Sequence, residues 1–341
     1  MHVSVQQMKI LYPDRVDVPS PHSTIYRKIA SELSHDCYAF AEPGYDSELN
    51  DEITVLEVES ETKDKIWRYT KEYLNDYDII HTGPVSHVLL SILSREVTDT
   101  SVIHTVHTTG ELSEEYGLAN SIFRRLMVDR ADEVTAVSEF LGNHIRSHYD
   151  RGPIVVPNGV DLDAYTPENA PTSESMCLFV GRFVKRKHPE IVLSLARSLP
   201  SVEFKMVGSG TMFPTVKDRV DSFNNVEVFS WIDNTELSRL YAEASVALCP
   251  YESEAFGMVV IEAMASGTPV VGLDDGNLSR LIRPGQNGTL CQKLDTDEWK
   301  TAIKSVTESI RQLSPRESVQ KYSWDHIARQ YDQVYRSVVS N

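Results

Sequence analysis

Cysteine is scarce in this sequence, and its few copies are never close together. Of 341 residues only four are cysteine: Cys37, Cys177, Cys249 and Cys291. None belongs to a C-x-x-C pair, so the sequence suggests neither a zinc knuckle nor a disulfide framework. A chain that uses no disulfides is expected in a reducing cytoplasm.

Long hydrophobic runs are absent as well. No segment approaches the roughly 18 uninterrupted apolar residues that a membrane-spanning helix requires. Residues 1–9 do not combine a basic segment with an apolar stretch, as a secretory signal would. We therefore expect a cytoplasmic protein. A length of 341 residues predicts two domains, at roughly 100–200 residues per domain.

Acidic residues outnumber basic residues in this sequence. Lys and Arg together total 33 and Asp and Glu total 50, which gives a net charge of −17. Because nucleic-acid phosphates are bound by basic surfaces, no nucleic-acid partner is expected. Two interpretations of the acidic excess stay open. It is either a surface adapted to high salt, where ions screen the repulsion between like charges, or the surface of an ordinary acidic cytosolic protein.

Short apolar segments alternate with longer amphipathic segments along the whole chain. Strands are predicted at residues 9–12, 38–41, 53–56, 78–81, 102–106 and 133–137, and then at 177–180, 203–207, 226–229, 246–248 and 269–272. Helices are predicted at residues 25–33, 85–93, 190–199, 235–244, 259–266 and 324–338. This alternation is typical of α/β proteins, in which helices cover both faces of a parallel sheet.

A change in composition separates the two series of strands. Gly152, Pro153 and Pro157 fall within residues 150–160 and mark a linker. We expect one α/β domain at residues 1–155 and a second at residues 156–322. A C-terminal helix at residues 323–341 could cross back to the first domain.

A basic segment follows the first strand of the second series. It begins at Gly181 and contains Arg182, Lys185, Arg186 and Lys187, four cations within six residues. Ligands of doubly wound sheets bind at the carboxyl ends of the strands. An anionic ligand, a phosphate or pyrophosphate, therefore explains the segment. The alternative is a solvated basic turn that offsets nearby acidic residues.

A second segment combines a helix start with two glutamates. Gly257 and Met258 fall at the first turn of a predicted helix, where free N–H groups and the helix dipole favour an anion. Glu262, further along that helix, could accept hydrogen bonds from a ribose diol. A plain surface role for Glu262 is less fitting, because its neighbours are apolar and a buried carboxylate needs partners.

Two glycine-containing turns carry less information. Asn158-Gly159 is a turn signal, and Gly208 belongs to a G-x-G that follows a predicted strand. Loop geometry explains both of them as well as a ligand would.

Together and in this order, four segments resemble the GT4 family of retaining glycosyltransferases. They are PNGVD (157–161), GRFVKRK (181–187), VGSG (207–210) and ESEAFGMVVIEAMASGTPVV (252–271). The most specific element is the pair of glutamates, Glu254 and Glu262, separated by seven residues. The first half of the chain resembles the family only in outline, in DIIHT (78–82), VIHTVHT (102–108) and ADEVTAVSEF (131–140).

The resemblance implies a GT-B fold, in which two Rossmann-like domains face a central cleft. The first domain would bind the acceptor and the second the nucleotide sugar. The implied catalytic residues are Glu254, Arg182, Lys187 and His107. The implied donor-binding residues are Gly181, Arg182, Lys187, Gly208, Phe256, Gly257, Met258, Val259 and Glu262. In this assignment Arg182 and Lys187 hold the diphosphate and Glu262 binds the ribose. Glu254 lies at the transferred sugar, and His107 also contacts the sugar of the donor.

The chain departs from the family in two loops. Residues 13–23 stand where the family usually carries a Gly-Gly after its first strand. Asp274-Asp275-Gly276 stands where another Gly-Gly is common. The two departures concern the parts of the family that meet the acceptor and the donor sugar.

No metal site is expected. His104 and His107 are three residues apart on a predicted strand, so their side chains point to opposite faces and do not share a metal ion. No Asp-x-Asp motif lies at a plausible site. We expect a metal-independent reaction with no cofactor beyond the nucleotide diphosphate sugar, which is a co-substrate.

The predicted function is retaining transfer of a hexosyl unit to a hydroxyl acceptor on a glycan, a lipid-linked sugar or a small molecule. The alternatives are a nucleotide-sugar epimerase or hydrolase of similar fold, and a non-catalytic nucleotide-sugar-binding subunit. A nicotinamide dehydrogenase is disfavoured because no G-x-G-x-x-G follows the first strand. Residues 122–128 combine two cations with apolar residues. They form either a helix that touches the inner face of the cell membrane or an ordinary packing helix.

Overall fold

The computed structural model describes residues 7–17, 21–42, 44–45, 52–57, 76–83, 100–108, 125–167 and 176–340. The chain divides into two compact units. The first contains Met1–Gly159 and Trp324–Asn341, and the second is Val160–Ser323. The domain boundaries predicted from the sequence are at 155/156 and 322/323, whereas these units divide at 159/160 and 323/324.

The first unit contains a seven-stranded sheet in the order β3-β2-β1-β4-β5-β6-β7. Its strands are β1 (Lys9–Arg15), β2 (Asp36–Ala41), β3 (Thr54–Glu57), β4 (Ile79–Thr82), β5 (Ser101–Val106), β6 (Glu133–Ala136) and β7 (Ile154–Val155). Every neighbouring pair is parallel. The strand order therefore reverses between β1 and β4, as in a doubly wound sheet.

The first six strands are predicted by the sequence, and the seventh is not. β7 is only two residues long and lies where the sequence predicts a linker. Its register is set by pairing with β6, where Thr135 faces Ile154 and Ala136 faces Val155. A contact of this kind depends on the tertiary fold and leaves no local pattern.

Helices pack against this sheet. They are α1 (Pro21–Ser31), α2 (Glu139–His148) and the C-terminal helix (Trp324–Val339). The Ser138 hydroxyl caps α2 by accepting a hydrogen bond from the Leu141 N–H at 3.2 Å. The helix predicted at residues 85–93 lies outside the described residues.

The C-terminal helix belongs to the first unit. Its buried residues recur every three or four positions, so they form one apolar stripe. Ile327, Tyr331 and Tyr335 join the same core as Ile10 and Ile29. A helix far away in sequence therefore completes the core around β1.

The second unit contains a six-stranded sheet in the order β10-β9-β8-β11-β12-β13, again with every pair parallel. Its strands are β8 (Met176–Val180), β9 (Glu203–Val207), β10 (Val226–Phe229), β11 (Val246–Cys249), β12 (Val270–Leu273) and β13 (Gly288–Cys291). Because β8 and β11 are neighbours, the loops that follow them lie side by side at one edge of the sheet.

The helices of this unit are α3 (Pro189–Ser198), α4 (Phe213–Val220), α5 (Asn234–Glu243), α6 (Met258–Ala265), α7 (Leu278–Leu281), α8 (Thr296–Glu308) and α9 (Pro315–Val319). Of these, α3, α5 and α6 match predicted helices within two residues at each end. The prediction of two parallel α/β sheets is confirmed. In the part of the chain that the structure describes, no helix has both the length and the apolar character needed to cross a membrane.

Candidate functional site

The loops after β8 and β9 meet at their glycines. Gly181 donates its N–H to Val207 O at 2.9 Å, and Gly208 donates its N–H to Phe229 O at 2.9 Å. Gly208 has φ 138°, and a Cβ at this position would lie 2.0 Å from Gly181 O. The backbones approach too closely for any side chain, so packing alone accounts for the glycine at 208.

The basic turn places its cations in different environments. Arg182 is exposed, whereas Lys187 is only 8% exposed. The Lys187 ammonium forms an ion pair with the Glu254 carboxylate and lies 3.6 Å from the centroid of the Tyr251 ring. Burial lowers the pKa of Lys187, and the charge of Glu254 opposes that shift. A buried ammonium needs such partners, because desolvation penalises an unpaired charge.

Sequence reasoning assigned Lys187 and Glu254 separate roles and did not foresee their contact. The contact follows from the topology, since one residue follows β8 and the other follows the adjacent strand β11. Tyr251 connects the loop after β11 to the end of β8, because its hydroxyl donates a hydrogen bond to Val180 O. Its aromatic ring packs against the Lys187 ammonium, which lies over the face of the ring.

The start of α6 is built around Gly257. This residue precedes the helix with φ 105°, a left-handed conformation that favours glycine. Met258 and Val259 form the first turn and are half-buried, while Phe256 is buried. The first N–H groups of an α-helix have no partners within the helix, so this end is suited to an anion.

The loop at residues 274–277 supports this helix start. Asn277 donates its backbone N–H to Glu254 O at 2.8 Å and its side-chain Nδ2 to Phe256 O at 2.7 Å. Gly276 has φ 58°, and a Cβ there would lie 2.6 Å from the backbone of Glu254. This is one of the loops in which the sequence departs from the family, and its glycine and asparagine hold the backbone that carries Glu254. Sequence reasoning did not identify Asn277, and no local pattern marks its role.

Glu262 lies on α6 beside two tyrosines. The Tyr241 hydroxyl donates a hydrogen bond to Glu262 Oε2 at 3.1 Å, and Tyr165 makes an edge-on contact with Tyr241, with ring centroids 5.9 Å apart. Burial raises the pKa of Glu262 to about 7, and the Tyr241 hydrogen bond works in the opposite direction. The carboxyl group therefore changes its charge near neutral pH.

Of the site residues predicted from the sequence, His107 is the one that lies in the first unit. It follows β5 and is 7% exposed. Its ring lies edge-on to His22, with centroids 4.7 Å apart, and burial is the main reason why the pKa of His107 is well below its usual value. His22 lies in the first turn of α1. It belongs to residues 13–23, the other place where the sequence departs from the family, but the structure has β1 up to Arg15 and α1 from Pro21 within this segment, not one continuous loop.

His104 and His107 have different surroundings. His104 Nδ1 lies 3.2 Å from the Thr82 hydroxyl of the neighbouring strand β4. No group of three His, Cys, Asp or Glu side chains suited to a metal ion occurs among the described residues.

A buried polar network that the sequence did not indicate lies near these residues. His81 Nδ1 is 2.7 Å from the Tyr335 hydroxyl, and His81 Nε2 is 2.6 Å from the Thr105 hydroxyl. Burial lowers the pKa of His81 to about 3, so its imidazole is neutral. The network links β4 and β5 to the C-terminal helix.

Residues 122–128 are described only from 125 onward. Met127 and Val128 are buried, and exposed Arg125 pairs with Asp129 one helical turn away at 3.4 Å. Burial of the apolar side chains is what the packing-helix interpretation predicts.

Two family models match the chain. "Glycosyl transferases group 1" matches residues 165–323, and "Glycosyltransferase Family 4" matches residues 61–164. A relative from Corynebacterium aurimucosum, named D-inositol 3-phosphate glycosyltransferase, is 27% identical over 321 residues, which cover 81% of this chain and 75% of the relative. A relative of the same name from Mycobacterium marinum is 28% identical over 305 residues, which cover 78% of this chain and 64% of the relative.

Solved structures show the same fold. HepE from Anabaena, in complex with UDP and glucose, has a TM-score of 0.81 at 19% identity. The match covers 97% of this chain and 100% of the HepE chain. Sucrose-phosphate synthase from Thermosynechococcus elongatus has a TM-score of 0.79 at 21% identity, with 98% and 100% coverage. At these identities the similarity shows the fold, which is of the GT-B type.

Proposed function

The chain belongs to the GT4-type glycosyltransferases, and from this membership we propose that it transfers a hexosyl unit from a nucleotide diphosphate sugar to a hydroxyl acceptor with retention of the anomeric configuration. The observation that supports this proposal best is the convergence of Lys187, Glu254 and the start of α6. A cation, a carboxylate and a helix N-terminus meet at the carboxyl edge of one sheet.

These groups suit the charge changes of glycosyl transfer. When the bond between the anomeric carbon and the β-phosphate oxygen breaks, negative charge develops on the phosphate and positive character on the sugar. Arg182 would chelate the diphosphate through its planar guanidinium, and Lys187 would act as a point charge. Preorganised donors of this kind stabilise the transition state more than the ground state.

The remaining donor residues follow the same assignment. We propose that Glu262 binds the ribose and that Glu254 contacts the transferred sugar. Gly181, Gly208 and residues 256–259 would supply the backbone that surrounds the donor. His107 is proposed to contact the donor sugar. With cations of the chain at the phosphates, we propose that the reaction needs no divalent metal.

The identity of the donor and acceptor is proposed from the comparisons. HepE has been seen with UDP-glucose, so UDP-hexoses are the first donors to test. The relatives are named for D-inositol 3-phosphate, which makes phosphorylated polyols the first acceptors. Lipid-linked glycans are a further class, and they would bring the protein to the inner face of the cell membrane.

Direct membrane contact has a separate test. The protein is floated with anionic liposomes at working ionic strength, with and without the donor. Recovery in the upper fractions would support lipid docking, whereas protein that stays at the bottom in both cases would exclude it. The burial of Met127 and Val128 leads us to expect the second result.

The function itself is tested by following nucleotide release and the sugar product together. A transferase releases UDP and forms an acceptor glycoside whose anomeric configuration, read by NMR, matches that of the donor. An epimerase would change the sugar without an acceptor, and a hydrolase would release free sugar at the same rate with or without acceptor. A non-catalytic subunit would bind the donor and leave it intact, so any of these three outcomes would overturn the proposal.

A further inference from the structure

Arg316 lies at the start of α9 and joins separate segments of the second unit. Its guanidinium donates hydrogen bonds to the carbonyl oxygens of Tyr165 and Ala265, and to Leu162 O at 2.7 Å. In the described part of the chain, the partners of this charge are therefore backbone carbonyls and not a carboxylate. The guanidinium makes these contacts through a fixed, planar fork of N–H groups, which a lysine does not reproduce.

One of the three carbonyls ends the helix that carries Glu262. Ala265 is the last residue of α6, and the last carbonyls of an α-helix have no partners within the helix. A cation at this end also interacts favourably with the helix dipole. Arg316 thus binds the end of α6 opposite to the one that is proposed to meet the diphosphate.

The other two carbonyls belong to residues 162–165, near the start of the second unit. A further carbonyl of this segment, Ala164 O, accepts a hydrogen bond from the Ser238 hydroxyl of α5 at 2.6 Å. Ser238 therefore holds the segment to α5, and Arg316 holds it to α6.

The side chain of Tyr165 lies in the surroundings of Glu262. Its ring is edge-on to that of Tyr241, with centroids 5.9 Å apart, and the Tyr241 hydroxyl donates a hydrogen bond to Glu262 Oε2 at 3.1 Å. Burial raises the pKa of Tyr165, and the charge of Glu262 raises it further. The residue whose backbone is bound by Arg316 therefore has its side chain beside the carboxylate.

We propose that Arg316 is a positioning residue for the nucleoside of the donor. Because it binds α6 and residues 162–165 at once, it keeps Tyr165 and Tyr241 against the Glu262 carboxylate. Glu262 is thereby held in the orientation that accepts the ribose hydroxyls. The inference rests on the proposed ribose-binding role of Glu262, through which Arg316 acts.

Two variants approach this role from different sides. Arg316→Met removes the guanidinium and keeps an unbranched apolar stem, so much of the packing is retained. Tyr165→Leu leaves the backbone contacts of Arg316 in place and removes the ring beside Tyr241. Arg316→Lys keeps the charge without the fork. The matched control is Arg311→Met, the same substitution at an exposed arginine of the same unit.

The primary measurement is the Kd of UDP by isothermal titration calorimetry, because UDP carries the ribose and the diphosphate without the transferred sugar. The Kd should rise about tenfold in R316M and in Y165L, the scale at which contacting residues couple. R316K should resemble R316M, because the fork and not the charge holds the three carbonyls. R311M should bind UDP as the wild type does.

Steady-state kinetics separate positioning from a purely structural role. R316M should raise the donor KM about tenfold while kcat at saturating donor stays unchanged, because ribose contacts are alike in the ground and transition states. A structural role alone would reduce the folded fraction, and with it kcat, while the folded molecules kept the wild-type KM. Thermal melting shows whether each variant is folded at the assay temperature.

A double-mutant cycle with Glu262→Gln tests the route of the effect. If Arg316 acts through Glu262, R316M should raise the UDP Kd of E262Q by less than about twofold. An equal rise in both backgrounds would overturn the inference, and so would a wild-type Kd in both R316M and Y165L. Should R316M not fold, R316K and Y165L carry the same cycle.

Failure of the inference is distinguishable from failure of the proposed function. If the wild type binds UDP and transfers sugar while R316M keeps the wild-type Kd and KM, only the role of Arg316 is wrong. If E262Q binds UDP as the wild type does, the ribose assignment falls first, and the role of Arg316 falls with it. If the wild type binds no nucleoside diphosphate and transfers no sugar, the proposed function itself is wrong.

Discussion

The Lys187 ammonium and the Glu254 carboxylate form an ion pair across 67 residues of sequence. Their side chains are 10% and 16% exposed, so both charges are largely withdrawn from water. The pair exists because β8 and β11 are neighbours and each contributes the loop at its carboxyl end. In the proposed mechanism, the cation that meets the phosphate and the carboxylate that meets the sugar thus begin in contact.

Removal of either nominated cation should slow transfer. Arg182→Ala and Lys187→Ala are each expected to lower kcat/KM by about two orders of magnitude, the scale for loss of one charge-stabilising group. Lys185→Ala is the matched control, because Lys185 is an exposed cation of the same turn. Wild-type turnover in either site variant, or an equal loss in K185A, would contradict the phosphate assignment.

The same variants should differ in stability. K187A leaves the Glu254 carboxylate buried without its partner, which should lower the free energy of unfolding by about 3 kcal/mol. Arg182 is exposed, so R182A should melt within error of the wild type. Urea denaturation of both variants checks this contrast.

The two glutamates should separate in steady-state kinetics. Glu262→Gln should mainly raise the donor KM, because ribose contacts are alike in the ground and transition states. Glu254→Gln should lower kcat, because charge at the anomeric carbon changes only during the reaction. An unchanged kcat in folded E254Q at saturating donor would refute the role of Glu254, and parallel losses of stability and activity in both variants would indicate two structural residues.

Glu262 should also make stability depend on pH. Its pKa is raised from 4.5 to about 7 in the folded chain. Between these values the folded chain keeps a proton that the unfolded chain has released, so the unfolding free energy falls as the pH rises through this window. Relative to E262Q, the wild type should lose on the order of 2 kcal/mol between pH 5 and pH 8.

Denaturant titrations at several pH values measure this difference. Glu227→Gln is a suitable control, because it makes the same substitution at a largely exposed carboxylate on β10. A constant difference between wild type and E262Q across the range would show that the carboxyl group of Glu262 does not titrate in this window.

The sequence located most of the sheet strands because each is a short apolar run with polar or turn residues on both sides. It missed β7 and β13, edge strands that exist through pairing with a neighbour. It also supplied the segments that make up the candidate site, whose roles remain proposals. It did not predict the pairing of Lys187 with Glu254 or the support from Asn277, because both depend on which loops the sheet order brings together.

Transfer should not depend on a divalent metal. The cations of the basic turn are proposed to stabilise the charge that a metal ion stabilises in other transferases. Activity should therefore survive prolonged treatment with EDTA, and added magnesium or manganese should not raise it. Loss of activity under EDTA that only one of these ions restores would contradict the proposal.

Gly208 tests whether a glycine in the donor region serves the ligand or the fold. A Cβ at this position would lie 2.0 Å from Gly181 O, and the backbone has φ 138°. Gly208→Ala should therefore lower the free energy of unfolding by more than about 2 kcal/mol, since backbone strain adds to a clash that no rotamer relieves. Gly152→Ala is the control, because a Cβ at that position would have no heavy atom within 4 Å.

The measurement is denaturant unfolding without donor, so that no ligand contributes to the difference. If G208A is as stable as the wild type but has a raised donor KM, the glycine serves close approach to the ligand. If it is destabilised before any donor is added, the contact between the loops after β8 and β9 is what requires a glycine.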